Sequence, residues 1–184
     1  VTQPPAHTAA PPDSQDRSAA IRAEIEATGS SFHALLDSLT DEDLRRQSHN
    51  PGWTNGEVLF HIVLAFILVP FLVPLLRFFG RLPRRFSRLF AAVLDAGTGL
   101  FNVANGLGPR LGSRVFSGAR LGALFDRTQR SILQLVASTR DEEWERGMYY
   151  PSRWEPLFGD FMTLEDVVRY PTIHFRFHVD QLSR

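Results

Sequence analysis

Cysteine and lysine are both missing from this 184-residue sequence. Without cysteine there is no disulfide, no thiolate nucleophile and no thiolate-based zinc site, and redox chemistry gives no clue to the compartment. Any sulfur nucleophile used by the chain has to arrive with a cosubstrate. Without lysine a Schiff-base mechanism is excluded. All twenty basic residues are arginine, which reads as the codon signature of a GC-rich genome, of the actinobacterial kind. Twenty acids balance them, so no global field recruits a polyanion, and nucleic acid is not an expected partner. Convincing alternation of apolar and polar residues is absent as well, which argues against a sheet protein.

The residues that are present read as helices. A composition of 43% hydrophobic and 22% charged residues is that of a globular protein, and the length suits one core. Residues 1–13 hold four prolines and neither the basic start nor the apolar run of a signal peptide, so they read as a disordered tail. A cytoplasmic location is the expectation. Residues 14–184 are expected to form a single domain. Apolar spacing predicts a first helix over 14–39, through Ile21, Ile25, Phe32, Leu35 and Leu36. A short capped turn, Thr40-Asp41-Glu42-Asp43-Leu44, follows. Thr54-Asn55-Gly56-Glu57 is a capping box that opens a second helix, predicted to stop near residue 69 because Pro70 and Pro74 delete backbone donors. A shorter helical pattern covers 84–94 and a glycine-rich stretch covers 97–118. A long amphipathic helix is predicted over 119–138, and a last one over 163–182 behind a second capping box at Thr163–Asp166.

One unit occurs twice: helix, acidic turn, loop, capped helix carrying histidine. Four main helices without strands predict an all-α four-helix bundle, with 77–118 inserted between the second and third.

The chemistry centres on histidine. His174 and His178 are four residues apart, so on a helix they differ by about 40° of rotation and one turn of rise. Both imidazoles leave one face and can reach one ion, and a third from a facing helix would leave coordination positions open for water or substrate. His61 sits on the other capped helix. Alone among Leu59, Phe60, Ile62 and Val63 it would read as a hydrogen-bonded core residue; with the pair, the repeated unit puts it in an equivalent role. His7, His33 and His49 have no partner at ligand spacing.

These residues carry a resemblance. Trp53, Thr54, Glu57, Val58, Leu59 and His61, followed by Thr163, Leu164, His174, His178, Gln181 and Leu182, stand in an order and spacing that resembles the DinB-like superfamily. That group includes the amino-terminal domains of mycothiol-dependent isomerases and the bacterial thiol S-transferases. The resemblance covers about 17–184 apart from the insertion. It implies a bundle holding a divalent metal near one end, with His61, His174 and His178 as its ligands. Zinc is the first expectation; nickel, iron and copper also suit three imidazoles. The chemistry implied is transfer of a low-molecular-weight thiol, of the mycothiol or bacillithiol type, to an apolar electrophile. Tyr170, Phe177, Gln181 and Glu57 are candidates to surround the ligands, and Pro171 is expected to kink the last helix.

Residues 58–76 are almost continuously apolar, a length borderline for crossing a bilayer. A core helix covered by the insertion explains the run without a membrane. Within the insertion, Arg84, Arg85 and Arg88 stand beside Phe86, Leu89, Phe90, Val93 and Leu94. The expectation is a cationic outer face with a core-facing apolar stripe; the alternative is a segment lying on a membrane surface. A metal-dependent hydrolase and a non-enzymatic protein for lipids or other apolar ligands are the competing functions. Homodimerisation is compatible with each.

Overall fold

The computed structural model describes residues 14–155 and 157–183, and the expected tail, 1–13, lies outside them. In chain order the elements are α1 (Ser14–Asp37), α2 (Asp41–Arg45), α3 (Asn55–Phe79), α4 (Arg84–Ala96) and α5 (Thr98–Val115). They continue with α6 (Ala119–Ser138), α7 (Asp141–Trp144), β1 (Gly147–Tyr149), β2 (Phe161–Thr163) and α8 (Leu164–Val179). Four long helices close a ring. Helix α3 packs on α6 and α8, and α1 completes the circuit by packing on the same two. The four-helix bundle expected from the apolar spacing is the fold observed.

The core lies inside this ring. Helix α1 presents Ile21, Ile25, Phe32 and Leu36, and α6 presents Leu121, Phe125, Ile132 and Val136, each set at helical spacing. Phe125 joins three helices: its ring stacks on Phe32 at 4.2 Å and meets Phe66 of α3 at 4.7 Å. His33 serves this packing too, bonding Asp126 across α1 and α6 at 2.6 Å.

Helix α3 departs from the expectation. It does not stop at residue 69 but continues through Pro70 and Pro74 to Phe79. An interior proline costs about 3 kcal/mol in a helix. Beyond the first proline, however, the helix buries Val73 and Leu76 completely, as it does Val69 just before, and each such side chain contributes about 1.5–3 kcal/mol. Packing therefore offsets the two lost donors. Helix α8 likewise continues through Pro171, which is buried, and ends at Val179 rather than near residue 182.

The insertion holds a second departure. The glycine-rich stretch is itself a helix, α5, lying along α3. Its glycines weaken the helix intrinsically, but one permits close approach: a Cβ on Gly112 would stand 2.1 Å from the Phe60 ring. Helix α4 meets the expectation of a core-facing apolar stripe only in part: Phe90 packs against the core and stacks on Phe79 at 4.9 Å, but much of the stripe turns away. Phe86, Leu89 and Val93 are exposed, while Ser87 and Ala91 turn inward. A third surprise is a short antiparallel hairpin, β1 with β2, registered Gly147 to Thr163. Three residues per strand are too few to announce themselves by alternation.

Two substitutions in α5 separate propensity from packing. Gly112→Ala is expected to lower stability by about 1–3 kcal/mol through overpacking. Gly106→Ala, whose new Cβ meets nothing within 4 Å, is expected to raise it by about 0.5–1 kcal/mol. Thermal melts followed by circular dichroism give both signs.

Candidate metal centre

Each histidine helix is started by the same local device. Thr54 accepts from the Glu57 amide while Glu57 accepts from the Thr54 amide, and Thr163 and Asp166 repeat the exchange. The acidic turns then anchor the helix starts: Asn55 N–H donates to Arg46 O at 2.9 Å, and Leu164 N–H donates to Arg146 O at 2.8 Å. Glu57 is thus engaged in capping, and its carboxylate belongs to the helix start rather than to the surroundings of the histidines.

From these starts the helices bring His61, His174 and His178 together. One ligand-capable atom from each lies within 4.8 Å of the other two, and all three residues are buried. The ring centroids are 4.3–4.7 Å apart. His61 Nε2 and His174 Nε2 face each other at 3.1 Å, close to the roughly 3.3 Å expected for two nitrogens sharing a tetrahedral ion at about 2.0–2.1 Å. The Nδ1 atoms of both rings are buried without a hydrogen-bond partner.

The third ring has a defined tautomer. Gln181 Oε1 accepts from Asn50 Nδ2 at 3.0 Å and also lies 2.9 Å from His178 Nδ1. An oxygen already accepting from one amide must accept again from the imidazole, so the His178 proton sits on Nδ1 and its Nε2 is left bare. A ligating histidine is oriented in this way by a partner on its other nitrogen. Gln181 is itself fixed, because its carbonyl accepts from the His49 amide at 2.7 Å. Asn55, wholly buried, binds Ser183 through both side-chain ends and holds the end of the chain against the start of α3.

Burial decides the charge state. It presses His61 down to about 3, with the neighbouring His178 adding to the effect. Burial first, then the other two imidazoles, drives His174 well below its ordinary value. His178 is lowered too, by burial outweighing the opposing pull of Gln181 and Glu155. Three neutral imidazoles at neutral pH are three lone pairs, which suits a divalent cation.

Aromatic rings wall the cluster: Trp53 lies 4.8 Å from His61, Tyr170 5.2 Å from His174 and Phe177 5.0 Å from His178. Tyr170, Phe177 and Gln181 therefore do surround the histidines. Sequence reading missed Glu155, whose Oε2 comes within 4.0 Å of His174 Nε2 and whose side chain is 12% exposed. It also missed Asn50. Both lie on irregular loops, where no periodicity relates a residue to the helices it will meet. His49 stays outside the cluster and is exposed. A cavity of about 410 Å³ opens at the start of α3, lined by Arg45, Glu57 and Arg114, and contains none of the three histidines. A smaller one, about 260 Å³, reaches Tyr170 beside Leu157 and Ile173.

The DinB superfamily model matches residues 24–182. The chain belongs to the DinB superfamily. Among solved structures it is similar to YfiT from Bacillus subtilis, described as a probable metal-dependent hydrolase with an unusual four-helix bundle topology. The TM-score is 0.52 and the identity 16%, over 98% of this chain and 89% of YfiT, a likeness of fold. No curated protein matches the sequence.

The depressed imidazoles give the metal-free protein an acid limb. The unfolded chain takes up protons near pH 6.5 and the folded chain does so only much lower, so stability falls as pH drops from about 6.5 toward 3. Denaturation midpoints measured across that window should show the fall, and His61→Gln should flatten it.

Proposed function

We propose that this member of the DinB superfamily is a metal-dependent enzyme whose divalent ion is held by His61, His174 and His178. We propose further that it transfers a low-molecular-weight thiol, of the mycothiol or bacillithiol type, to an apolar electrophile. The observation that carries the reading is the convergence of three neutral, buried imidazoles from two helices. Zinc is the ion proposed first. When bound, such an ion retains its charge and lowers the pKa of a water or thiol at an open position.

The chain's own residues supply the rest. Gln181 holds the bare nitrogen of His178 toward the cluster. Trp53 and Tyr170 limit water around the rings and present an apolar wall, which suits an apolar substrate. Glu155 is close enough to the cluster to accept a proton released there. Burial first, then the nearby Glu155 carboxylate, raises the Tyr170 pKa, so its hydroxyl stays protonated. The absence of cysteine fits a mechanism in which sulfur arrives with a cosubstrate.

Hydrolysis is the second reading. The description of YfiT favours it, and a carboxylate beside the cluster serves water as readily as a thiol. The reaction is to be decided by assaying metal-loaded protein with mycothiol, bacillithiol and water against apolar electrophiles. Thiol conjugation that His178→Ala reduces to background, with unchanged helical circular dichroism, supports thiol transfer. Turnover with water alone moves the assignment to hydrolysis. Equal turnover by His178→Ala would remove the histidines from the chemistry.

Metal affinity gives an independent readout. Gln181→Ala is expected to weaken binding of zinc or nickel by about 10–100-fold in calorimetry, because His178 loses the partner that sets its tautomer. Unchanged affinity would show that Gln181 does not orient a ligand.

A further inference from the structure

The outer face of the insertion has no partner within the chain. On α5, Leu100, Val103, Leu107 and Leu111 recur at helical spacing and are 78, 57, 47 and 58% exposed. On α4 the exposed residues are Phe86, Leu89 and Val93. Helix α3, on which both helices pack, adds Phe71 at 72% and Phe78 from its distal half, one heptad apart on one face. Single exposed apolar residues need no explanation, but three neighbouring helices presenting such rows do.

Charge identifies the occupant. Between Glu57 and Arg120 the chain has seven arginines and one acid, Asp95. The remainder of this neutral protein carries thirteen arginines against nineteen acids. The two kinds of arginine also behave differently. Outside the segment seven of the twelve described arginines, Arg17, Arg46, Arg140 and Arg169 among them, are in salt bridges. Within it only Arg77 is, with Glu143. Among the described residues, Arg81, Arg84, Arg85, Arg88, Arg110 and Arg114 have no carboxylate partner. Arg84 and Arg88 lie over the rings of Phe161 and Tyr149, with their charge unneutralised.

From this pairing of exposed apolar rows with unneutralised arginines we infer that the α4–α5 face docks on an anionic lipid bilayer. Apolar side chains enter the boundary of the acyl region while guanidinium groups meet the headgroups. A second copy of the chain is disfavoured as the occupant, since it would set like-charged arginines against one another. Helix α3, though long and apolar enough to cross a membrane, has its first half in the bundle core, so the contact is peripheral. The face is also joined to the candidate site. Trp154, next to Glu155, stacks on Phe101 of α5 at 4.3 Å and donates from Nε1 to Leu94 O of α4 at 3.0 Å.

The test is co-sedimentation with phosphatidylcholine vesicles, with and without about one-third phosphatidylglycerol, alongside light scattering of the protein alone. Binding at least about tenfold stronger on the anionic vesicles, and weakening with salt, is expected. The double variant Val103→Glu/Leu107→Glu should lose that binding and keep the wild-type melt, since both side chains face outward. Arg81→Ser and Arg85→Ser should each reduce it about fivefold. His178→Ala should bind as wild type, which separates docking from the metal reading. No vesicle binding, equal binding to both vesicle types, or a dimer that the double variant dissociates would each overturn the inference.

Discussion

Helix α3 runs from Val58 to Leu76 without a charged residue, and the rest of the molecule is arranged around the need to cover it. Its first half is enclosed by α6, α8 and α5, with Val58, Leu59, Ile62, Val63 and Phe66 taken out of water. His61 lies within that enclosed half, so the burial that stabilises the helix also strips water from the imidazole. A charged ring would be costly there. Neutrality of the cluster thus follows from the core, and with it the availability of its lone pairs. The distal half of α3 is covered less completely, which leaves Phe71 and Phe78 outside.

The histidine helices are placed by two copies of one arrangement. In each, a short acidic helix is followed by an arginine, Arg46 or Arg146, whose carbonyl accepts from the first residue of the next long helix. In the first copy the intervening loop closes with one bridge, Gln47 to Thr54. In the second the same position expands into β1, β2 and the loop that carries Trp154 and Glu155. The expansion supplies what the first copy lacks: a carboxylate near the imidazoles and an indole fastened to α4 and α5. Glu143, at the end of the second acidic helix, is buried among Arg77, Arg140 and Arg146. The like-charged surroundings of those three arginines are relieved by that one buried carboxylate, and α3, α7 and the hairpin are tied together at it.

Much of this was legible from residues alone because the signals are local. Capping boxes at Thr54 and Thr163 depend on side chains three residues apart, and both are present as read. The i,i+4 relation of His174 and His178 is helix geometry, and His61 could be joined to them because the repeated unit placed it in a matching role. Helix spans at 119–138 and the start of α1 followed from apolar spacing. The errors came where a local rule met a distant contact. Pro70 and Pro74 signal a stop, yet Val73 and Leu76 have partners in the bundle. The glycines of α5 signal a loop, yet one of them admits the ring of Phe60.

Sequence therefore determined the elements with internal periodicity, the histidines that could share an ion and the exclusion of thiolate and Schiff-base chemistry. These rest on residue type and short spacings that hold wherever the chain goes. Only the tertiary structure decided which nitrogen of His178 carries the proton, since that depends on Asn50 and Gln181 meeting from segments 131 residues apart. It alone brought Glu155 to His174, because a loop residue's position is set by what the loop packs against. And it alone turned Leu89 and Val93 outward: an amphipathic helix has an apolar face by sequence, but whether that face meets protein or solvent depends on the neighbours it packs against.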